Sequence, residues 1–354
     1  MYYSNRSWKH QNFVFIQPFV DVEGDLPIVE LFLDTNAFIR LLHDISFLDG
    51  LKRIPGIQGY FLNPSIALAE QWLSNPKFRE NANETDPMLR GKMIKIFVAQ
   101  AAKGGLAFDN GYVDKMIAAC RREEDNLRYM AGTLFAYIAA IRSLQRRKMD
   151  TEERIERFVG VLRREVPRFS GLIALAALTF ASLKHRRLCG RDGRAIVAFV
   201  DSFFSPKGSE PDYLTLGYLR NRAMDLLCWY WMPYFSRGYL RNSDVAPIVV
   251  TGDKFLAAVP FRFIPPLRPQ SPSGPLALGL FKDDMNPSDA QLYLDIFNRL
   301  HVPTNDLVID QDRKQELVAN LYDGVRGMLH AEDLKGFDQG RMWIFPGTVL
   351  NPDC

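Results

Sequence analysis

Two short apolar runs, each followed by an aspartate, constrain the fold of this chain more than any other feature. The run at 28–33 (IVELFL) leads directly into Asp34, and the run at 247–250 (PIVV) leads through Thr251 and Gly252 into Asp253. Continuous apolar runs of this length are typical of strands that are buried on both faces of a parallel sheet. Because ligands of open α/β sheets bind at the carboxyl ends of such strands, the sequence predicts a site with these two carboxylates.

Helical patterns alternate with the predicted strands. The helix that begins near residue 65 carries Glu70, and a later helix carries Asp225. The expected fold class is therefore α/β, a parallel sheet flanked by helices. In full, helices are expected at 36–48, from about 65 and at 213–231, with further short strands at 59–62 and near 261–264.

A long helical segment interrupts this alternation. From 87 to 205 the pattern is helical almost throughout, which predicts a large all-helical insert. The proline-rich stretch at 266–275 is too rigid and too poor in hydrogen-bond donors for a core element, and it predicts a linker. The remaining parts are a sheet domain formed from 1–86 and 206–265, and a C-terminal helical extension at 276–354 with helices at 288–300 and 311–329.

Charge is distributed unevenly along the chain. The overall net charge is +3, but residues 142–194 contain 14 Lys and Arg against 6 Asp and Glu, a local +8, which leaves −5 for the rest. Charge runs usually mark solvated helix faces, although a surface that follows a phosphate backbone needs the same residues. The candidates for substrate binding are the arginines at helical spacing: Arg142, Arg146, Arg147, Arg163 and Arg164.

Cysteine usage and targeting signals suggest the compartment. The four cysteines form no CxxC pair, so neither a zinc ribbon nor a disulfide framework is indicated. The N-terminal residues lack the layout of a signal peptide, and a cytoplasmic location is expected. The most apolar run, 171–183, is shorter than the roughly 20 residues that a membrane-spanning helix needs, which favours a buried helix of the insert over a membrane-surface helix.

The acids at the strand ends suit divalent-cation chemistry. Mg²⁺ and Mn²⁺ prefer hard oxygen ligands, so a site for them needs several carboxylates rather than His or Cys. Carboxylates a few ångströms apart raise each other's pKa, and a cation relieves that repulsion. Such a cation lowers the pKa of a bound water and neutralises charge on a scissile phosphate. The five histidines are scattered and show no ligand spacing.

The order of these acids resembles that of the PIN-domain nuclease family. In that family the first acid ends a strand, as Asp34 does in LDTNAF, and the second is a helical glutamate, as Glu70 is in NPSIALAEQW. The third lies in a later helix, as Asp225 does in NRAMDLL, and the fourth follows a strand in a T-x-D element, as Asp253 does. The resemblance covers 28–78 and 213–265 and departs from compact members in the long insert. It implies a PIN-like fold with one Mg²⁺ or Mn²⁺ site held by all four acids.

Each acid also has an alternative interpretation that the sequence leaves open. Asp34 suits a strand-ending turn, and Asp253 suits a helix cap. Glu70 suits a solvated helix face. Asp225 suits a salt bridge to Arg222 or to another basic residue.

Neighbouring polar residues are candidates for orienting the site. Thr35 and Asn36 suit capping of the helix that follows the first acid, a role compatible with holding its carboxylate. The Thr251 hydroxyl suits a hydrogen bond to a metal-bound water. Asn221 lies one helical turn before Asp225 and is either a supporting residue or a polar edge residue.

The resemblance implies a metal-dependent endoribonuclease that leaves a 3′-hydroxyl and a 5′-phosphate, and by analogy a toxin or defence effector. Two alternatives stay open. One is a DNA nuclease of the flap and 5′-nuclease kind, with the insert as its helical arch, and the other is a catalytically inactive scaffold that binds nucleic acid or protein. The expected partners are RNA, with DNA as the alternative, an antitoxin or regulator, and a second copy of the chain. No membrane partner is expected.

Overall fold

The protein is described here by a computed structural model that covers residues 6–17, 28–41, 43–83, 111–188, 196–235, 245–253, 262–264, 277–279, 285–301 and 311–345. Its described residues divide into two compact units. The sheet unit takes its residues from Asn5–Leu127 and Cys228–Ala257. The helical unit takes its described residues from Arg128–Leu227 and Ala258–Cys354.

Strands and helices alternate at the start of the chain and helices dominate afterwards. The strands are β1 (Arg6–His10), β2 (Phe13–Gln17), β3 (Ile28–Leu33), β4 (Gly59–Asn63), β5 (Val245–Thr251), β6 (Arg262–Ile264) and β7 (Ala277–Gly279). The helices are α1 (Thr35–Leu41), α2 (Ser65–Ser74), α3 (Pro76–Asn83), α4 (Tyr112–Arg122), α5 (Glu124–Arg146), α6 (Thr151–Leu162), α7 (Ser170–Lys184), α8 (Ile196–Phe204), α9 (Leu216–Phe235), α10 (Pro287–Leu300), α11 (Gln311–Arg326) and α12 (Ala331–Ile344).

The sheet unit is built on a five-stranded mixed sheet with strand order β1-β2-β5-β3-β4. β3 pairs in parallel with β4 on one side and β5 on the other, whereas β2 pairs antiparallel with β1 and β5. Residues Val29 to Leu33 of β3 are buried whichever face of the sheet they point to, which is why the strand reads as a nearly continuous apolar run. The expected α/β class is confirmed, and the expected parallel sheet is found in β4, β3 and β5 but not in the antiparallel β1 and β2.

β1 and β2 form a hairpin that the sequence did not predict. Its turn is Gln11-Asn12, with Gln11 at a φ of 53°, rather than the Asn-Gly or Asp-Gly pair that signals a two-residue hairpin. All five residues of β2 are buried, so the strand lacks the polar alternation that marks a half-buried strand. The Gln11 amide donates to the Ser46 hydroxyl at 3.1 Å and ties the turn to the segment after α1.

α1 ends earlier than the apolar pattern predicts. The helix expected at 36–48 is only Thr35–Leu41, and a separate 3₁₀ segment covers Ser46–Arg53. The Asp44 carboxylate accepts the Ser46 amide at 2.9 Å and the Ser46 hydroxyl at 3.0 Å. An aspartate that bonds to the backbone two residues ahead favours a turn over a continuing helix, which explains the break.

The described part of the insert consists of α4 to α8 and their connections, as predicted. The most apolar run forms α7, which is 15 residues long and buried from Leu172 to Ala181. α7 packs against α6 and α10. Within the described residues, no helix is long and apolar enough to cross a bilayer. The prediction of a buried helix at 171–183 is therefore confirmed.

The C-terminal helices belong to the same compact unit as most of the insert. At the end of α12, the Ile344 carbonyl accepts a hydrogen bond from Arg128 Nη1 at 2.6 Å. The extension predicted at 276–354 is thus part of the helical unit, and α12 and β7 are elements that the sequence did not predict. The linker predicted at 266–275 lies outside the described residues, and β6 and β7 on either side of it pair antiparallel.

Two glycines let α12 approach its neighbours closely. A methyl group on Gly340 would lie 1.8 Å from the Phe135 ring of α5. One on Gly336 would lie 2.1 Å from the Leu214 carbonyl oxygen. Both distances are far below van der Waals contact, so the packing of α12 requires a residue without Cβ at these positions.

We expect Gly340→Ala to lower the free energy of unfolding of the helical unit by about 1–3 kcal/mol, because the added methyl group must displace a buried ring. Urea unfolding followed by circular dichroism measures the change. The matched control is Gly160→Ala on α6, where an added methyl group meets nothing within 4 Å. Alanine has the better helix propensity, so this control should be as stable as the wild type or more so. Equal stability of the two variants would contradict the close packing of α12.

Candidate functional site

The carboxyl ends of β3 and β5 meet at one edge of the sheet. The two strands are parallel, and their hydrogen bonds continue past the end of β3, where the Asp34 amide donates to the Val250 carbonyl at 3.0 Å. Asp34 and the turn at 251–253 are therefore neighbours, as the two strand ends predicted.

Three donors hold the Asp34 carboxylate. Its Oδ1 accepts the Ala37 amide at 2.6 Å, and its Oδ2 accepts the Thr251 hydroxyl at 2.6 Å and the Gly252 amide at 3.2 Å. The bond from Ala37 makes Asp34 the N-cap of α1. A carboxylate offers about four acceptor positions, so one position on Oδ1 is left for a ligand.

Burial raises the pKa of Asp34 above its ordinary value of 3.8, and the negative charge of Asp253 adds to the rise. The hydrogen bonds from Thr251, Ala37 and Gly252 lower the pKa without outweighing the desolvation. The side chain is half-buried, so it remains within reach of a ligand. A carboxylate in this state is stabilised by a nearby cation.

Glu70 joins this edge of the sheet through Thr35. α2 packs against α1 and β3, and Glu70 Oε2 accepts the Thr35 hydroxyl at 2.5 Å. The predicted position of Glu70 in the second turn of a helix is confirmed. Thr35 was expected, together with Asn36, to cap the helix after the first acid. Asp34 supplies that cap instead, and Thr35 links the two acids.

The 251–253 turn places Asp253 beside Asp34. The Asp253 amide donates to the Thr251 hydroxyl at 2.9 Å, and that hydroxyl donates its own proton to Asp34. Thr251 is fully buried, and its hydroxyl joins the Asp34 carboxylate to the backbone of Asp253. Asn36 lies against the same turn, because a methyl group on Gly252 would lie 3.4 Å from Asn36 Cβ.

Asp34, Glu70 and Asp253 are thus drawn to one edge by two threonine hydroxyl groups. All three carboxylates are half-buried, and the edge is accessible to a ligand. In the described ranges, no group of three or more His, Cys, Asp or Glu side chains lies at the spacing of a metal site.

Asp225, the fourth predicted acid, lies on α9 within the helical unit. Its Oδ2 is 3.8 Å from Lys207 Nζ. The sequence left open a salt bridge to Arg222 or to another basic residue, and Lys207 is such a residue. The role of Asp225 as a fourth ligand stays a prediction. So does the supporting role of Asn221, which is exposed one turn earlier on the helix.

Arg222 anchors the loop that precedes α9. Its guanidinium group is fully buried and donates to the Phe203 carbonyl at 3.2 Å, the Ser205 carbonyl at 2.7 Å and the Glu210 carboxylate at 2.9 Å. It also lies 3.9 Å from the centre of the Tyr218 ring. These contacts fasten the loop to α9 at several points.

Two of the arginines predicted to bind substrate are engaged inside the helical unit. Arg142 pairs with Asp212, and Arg146 pairs with Asp333 at 2.9 Å and Glu332 at 2.6 Å. The arginine side chains are only 11% and 16% exposed. These ion pairs join α5 to α12 and to the loop before α9. The phosphate-binding role of the two arginines stays a prediction.

The other three predicted arginines differ in their surroundings. Arg147 donates to the Met328 carbonyl and is half-buried, so it too has a structural contact. Arg163 and Arg164 are exposed at the end of α6, and the Arg164 side chain runs along Gly324. Of the five arginines, only these two are exposed residues.

No protein-family model, curated protein or solved structure matches the chain. Its function is therefore inferred from the geometry and chemistry of the site.

The raised pKa of Asp34 predicts how the stability of the metal-free protein depends on pH. Above the folded-state pKa the carboxylate is charged and less favourable in the folded protein, and below 3.8 it is neutral in both states. As the pH falls through the folded-state pKa, this unfavourable contribution is lost. We therefore expect the wild type to gain stability relative to Asp34→Asn between about pH 7 and pH 4, as measured by urea unfolding.

The matched control for this pH dependence is Asp49→Asn. The hydrogen bond from Lys52 and the charge of Lys52 lower the pKa of Asp49 below 3.8, so its contribution to stability is lost only below about pH 4. The stability difference between the wild type and Asp49→Asn should therefore stay flat between about pH 7 and pH 4. A stability difference for Asp34→Asn that is equally flat in this range would contradict the raised pKa of Asp34.

The arginines should separate into two classes by mutation. Arg146→Ala is expected to destabilise the protein by about 3–5 kcal/mol, because it leaves the fully buried Asp333 without its cation. Arg163→Ala should change stability by no more than about 0.5 kcal/mol and should lower the affinity for a labelled single-stranded RNA. Thermal unfolding and filter binding at two salt concentrations measure both effects. Wild-type RNA affinity in Arg163→Ala would remove that residue from the predicted phosphate-binding set.

Proposed function

We propose that this protein is a metal-dependent endoribonuclease with a PIN-like sheet domain. The observation that carries the proposal is the assembly of Asp34, Glu70 and Asp253 at the carboxyl ends of β3 and β5, joined by the hydroxyl groups of Thr35 and Thr251. Along the chain, these acids follow the same order as the acids of the PIN-domain family. The parallel arrangement of β4, β3 and β5 supports the same assignment.

The chemistry of these side chains suits Mg²⁺ or Mn²⁺. Each carboxylate offers the hard oxygen atoms that these cations prefer, and Asp34 keeps one acceptor position on Oδ1. Burial and the charge of Asp253, which raise the pKa of Asp34, are both offset by a cation. In the described residues these three side chains are not at the spacing of a metal site, so Asp34, Glu70 and Asp253 would have to move closer together to hold the ion. Asp225, the fourth acid of the resemblance, belongs to the other compact unit. A bound divalent cation supplies a water of lowered pKa and neutralises charge on the scissile phosphate.

The protein's own residues fix these carboxylates in advance. The three donors on Asp34 set the direction of its remaining lone pair, which reduces the reorganisation needed when a charged group arrives. Thr35 holds Glu70, and Thr251 holds Asp34 against the backbone of Asp253. In the proposed hydrolysis, the oxygen of water adds to phosphorus and the bond from phosphorus to the 3′ oxygen breaks. The products are a 5′-phosphate and a 3′-hydroxyl, which takes up a proton of the water.

Single-stranded or looped RNA is the proposed substrate, because the PIN-like nucleases that the chain resembles act mostly on RNA. The exposed Arg163 and Arg164 are the remaining candidates for phosphate contacts. A toxin or defence role in the cytoplasm, controlled by an antitoxin or another regulator, belongs to the same proposal by analogy.

A second candidate function is an inactive PIN-like scaffold that binds nucleic acid without cleaving it. The contact between Asp225 and Lys207 favours this candidate, because a lysine near the fourth acid lowers its need for a metal cation. The presence of the other three acids at one edge of the sheet favours the enzyme.

Cleavage of end-labelled RNA and DNA in Mn²⁺ or in EDTA tests the proposal. The wild type should cleave RNA only with the metal, and Asp253→Asn and Glu70→Gln should each lower kcat/KM by on the order of 10²-fold or more. Asp253→Asn is preferred to Asp34→Asn because both oxygens of Asp34 accept hydrogen bonds. In Asp34→Asn the side-chain NH₂ group would face one of these hydrogen-bond donors.

The matched control for the cleavage assay is Asp49→Asn. Asp49 is an exposed acid of the sheet unit that pairs with Lys52, and its variant should cleave like the wild type. RNA cleavage that survives EDTA and both site variants would contradict the proposal. Metal-dependent cleavage of DNA alone would favour the flap-type nuclease, and RNA binding without cleavage would favour the scaffold.

A further inference from the structure

A buried carboxylate lies in the middle of the apolar run of β3. Glu30 is 1% exposed, and its neighbours Val29 and Leu31 are fully buried. Burying a charged or polar group is unfavourable unless hydrogen bonds compensate for the lost water. An apolar residue would pack in this strand without that penalty. The glutamate at this position therefore indicates a polar role.

Asn63, at the end of β4, is a hydrogen-bond partner of Glu30. Asn63 Nδ2 donates to Glu30 Oε1 at 2.8 Å, and Asn63 Oδ1 accepts the Ser65 amide at 2.9 Å. In the parallel register Asn63 lies opposite Phe32, two residues beyond Glu30, so Glu30 and Asn63 share one face of the sheet. The Asn63 side chain therefore connects the middle of β3 to the first residue of α2.

α2 is the helix that carries Glu70. Ser65 begins this 10-residue helix and is fully buried, and Glu70 follows in its second turn. Because a helix of this length moves as a unit, any shift of its first turn also moves Glu70. The position of Glu70 is thus set from two directions, by Thr35 at its carboxylate and by Asn63 at the start of its helix.

We propose that Glu30 is a positioning residue for the carboxylate site, and that it acts through Asn63 to fix the start of α2 and hence Glu70. This inference rests on the proposed function. Glu30 Oε1 accepts a hydrogen bond from Asn63 Nδ2, so Glu30 turns the donor end of the Asn63 amide toward β3 and leaves the acceptor end for the Ser65 amide. Without that acceptor, the Asn63 amide is no longer held in the one orientation that accepts the Ser65 amide at the start of α2.

Three variants separate this role from simple packing. Glu30→Leu removes the acceptor and keeps a similar volume, whereas Glu30→Gln keeps a carbonyl acceptor for Asn63 and replaces the carboxyl group. Val29→Ala is the matched control, because Val29 is fully buried in the same strand but points to the opposite face of the sheet from Glu30. Two quantities are measured on the full chain: hydrogen–deuterium exchange in the first turn of α2, and Mn²⁺ affinity by calorimetric titration.

Glu30→Leu should exchange the first-turn amides of α2 about tenfold faster and bind Mn²⁺ about 10–100-fold more weakly, while Glu30→Gln stays within about threefold of the wild type. Val29→Ala should leave the difference in exchange rate between the first turn of α2 and the rest of the sheet unit unchanged. Asn63→Ala should reproduce the effects of Glu30→Leu, and it serves as the test variant if Glu30→Leu does not fold.

Wild-type exchange in α2 of Glu30→Leu, or of Asn63→Ala in its place, would overturn the positioning role. So would equal acceleration in Val29→Ala. The exchange measurement needs no metal, which keeps the two proposals separable. If the wild type binds no Mn²⁺, the proposed function fails, and the exchange rates still decide what Glu30 does.

Discussion

The hydrogen bonds that extend the β3–β5 pairing beyond the strands are the constraint on which the candidate site depends. The Asp34 amide bonds to the Val250 carbonyl, and the Thr251 hydroxyl bonds to the Asp34 carboxylate across 217 positions of sequence. A one-residue slip of β3 against β5 would turn its buried side chains to the wrong face and separate Asp34 from Thr251. A long intervening segment is tolerated, since each doubling of loop length adds only about 0.6 kcal/mol to the entropy cost of closure.

At this edge, desolvation and hydrogen bonding act on the same carboxylate in opposite directions. Burial raises the pKa of Asp34, and the donors from Thr251, Ala37 and Gly252 lower it. The donors also fix where the carboxylate points, so the group combines an unfavourable charge with a defined direction. Both properties favour a bound cation. In the helical unit, by contrast, the charges of Arg142 and Arg146 are matched by carboxylates of the protein itself.

The sequence allowed the backbone of the site to be predicted better than its side-chain contacts. Asp34 and Asp253 follow apolar strands, and strand ends can be recognised from local pattern alone. The bond between Thr35 and Glu70 joins residues 35 positions apart and depends on how α2 packs, which no local pattern specifies. Glu30 was not predicted as a functional residue because the five apolar residues around it make the strand uniformly apolar in pattern.

The remaining differences between the sequence predictions and the structure have similar physical causes. The β1–β2 hairpin turns at Gln11 without the residues that usually allow a positive φ, so no turn signal marked it. Arg146 was expected on a solvated, phosphate-binding face because its helix reads as basic. Its partners Glu332 and Asp333 lie nearly 190 positions away, and their effect appears only once α12 packs beside α5.

Anomalous diffraction from a crystal soaked in Mn²⁺ tests the central claim most directly, because it locates the ion without relying on activity. The account predicts a peak at the carboxyl ends of β3 and β5, within a coordination distance of roughly 2.0–2.4 Å of carboxylate oxygens from Asp34, Glu70 and Asp253. A fully soaked crystal with no peak at this edge, or with manganese bound only elsewhere, would contradict it.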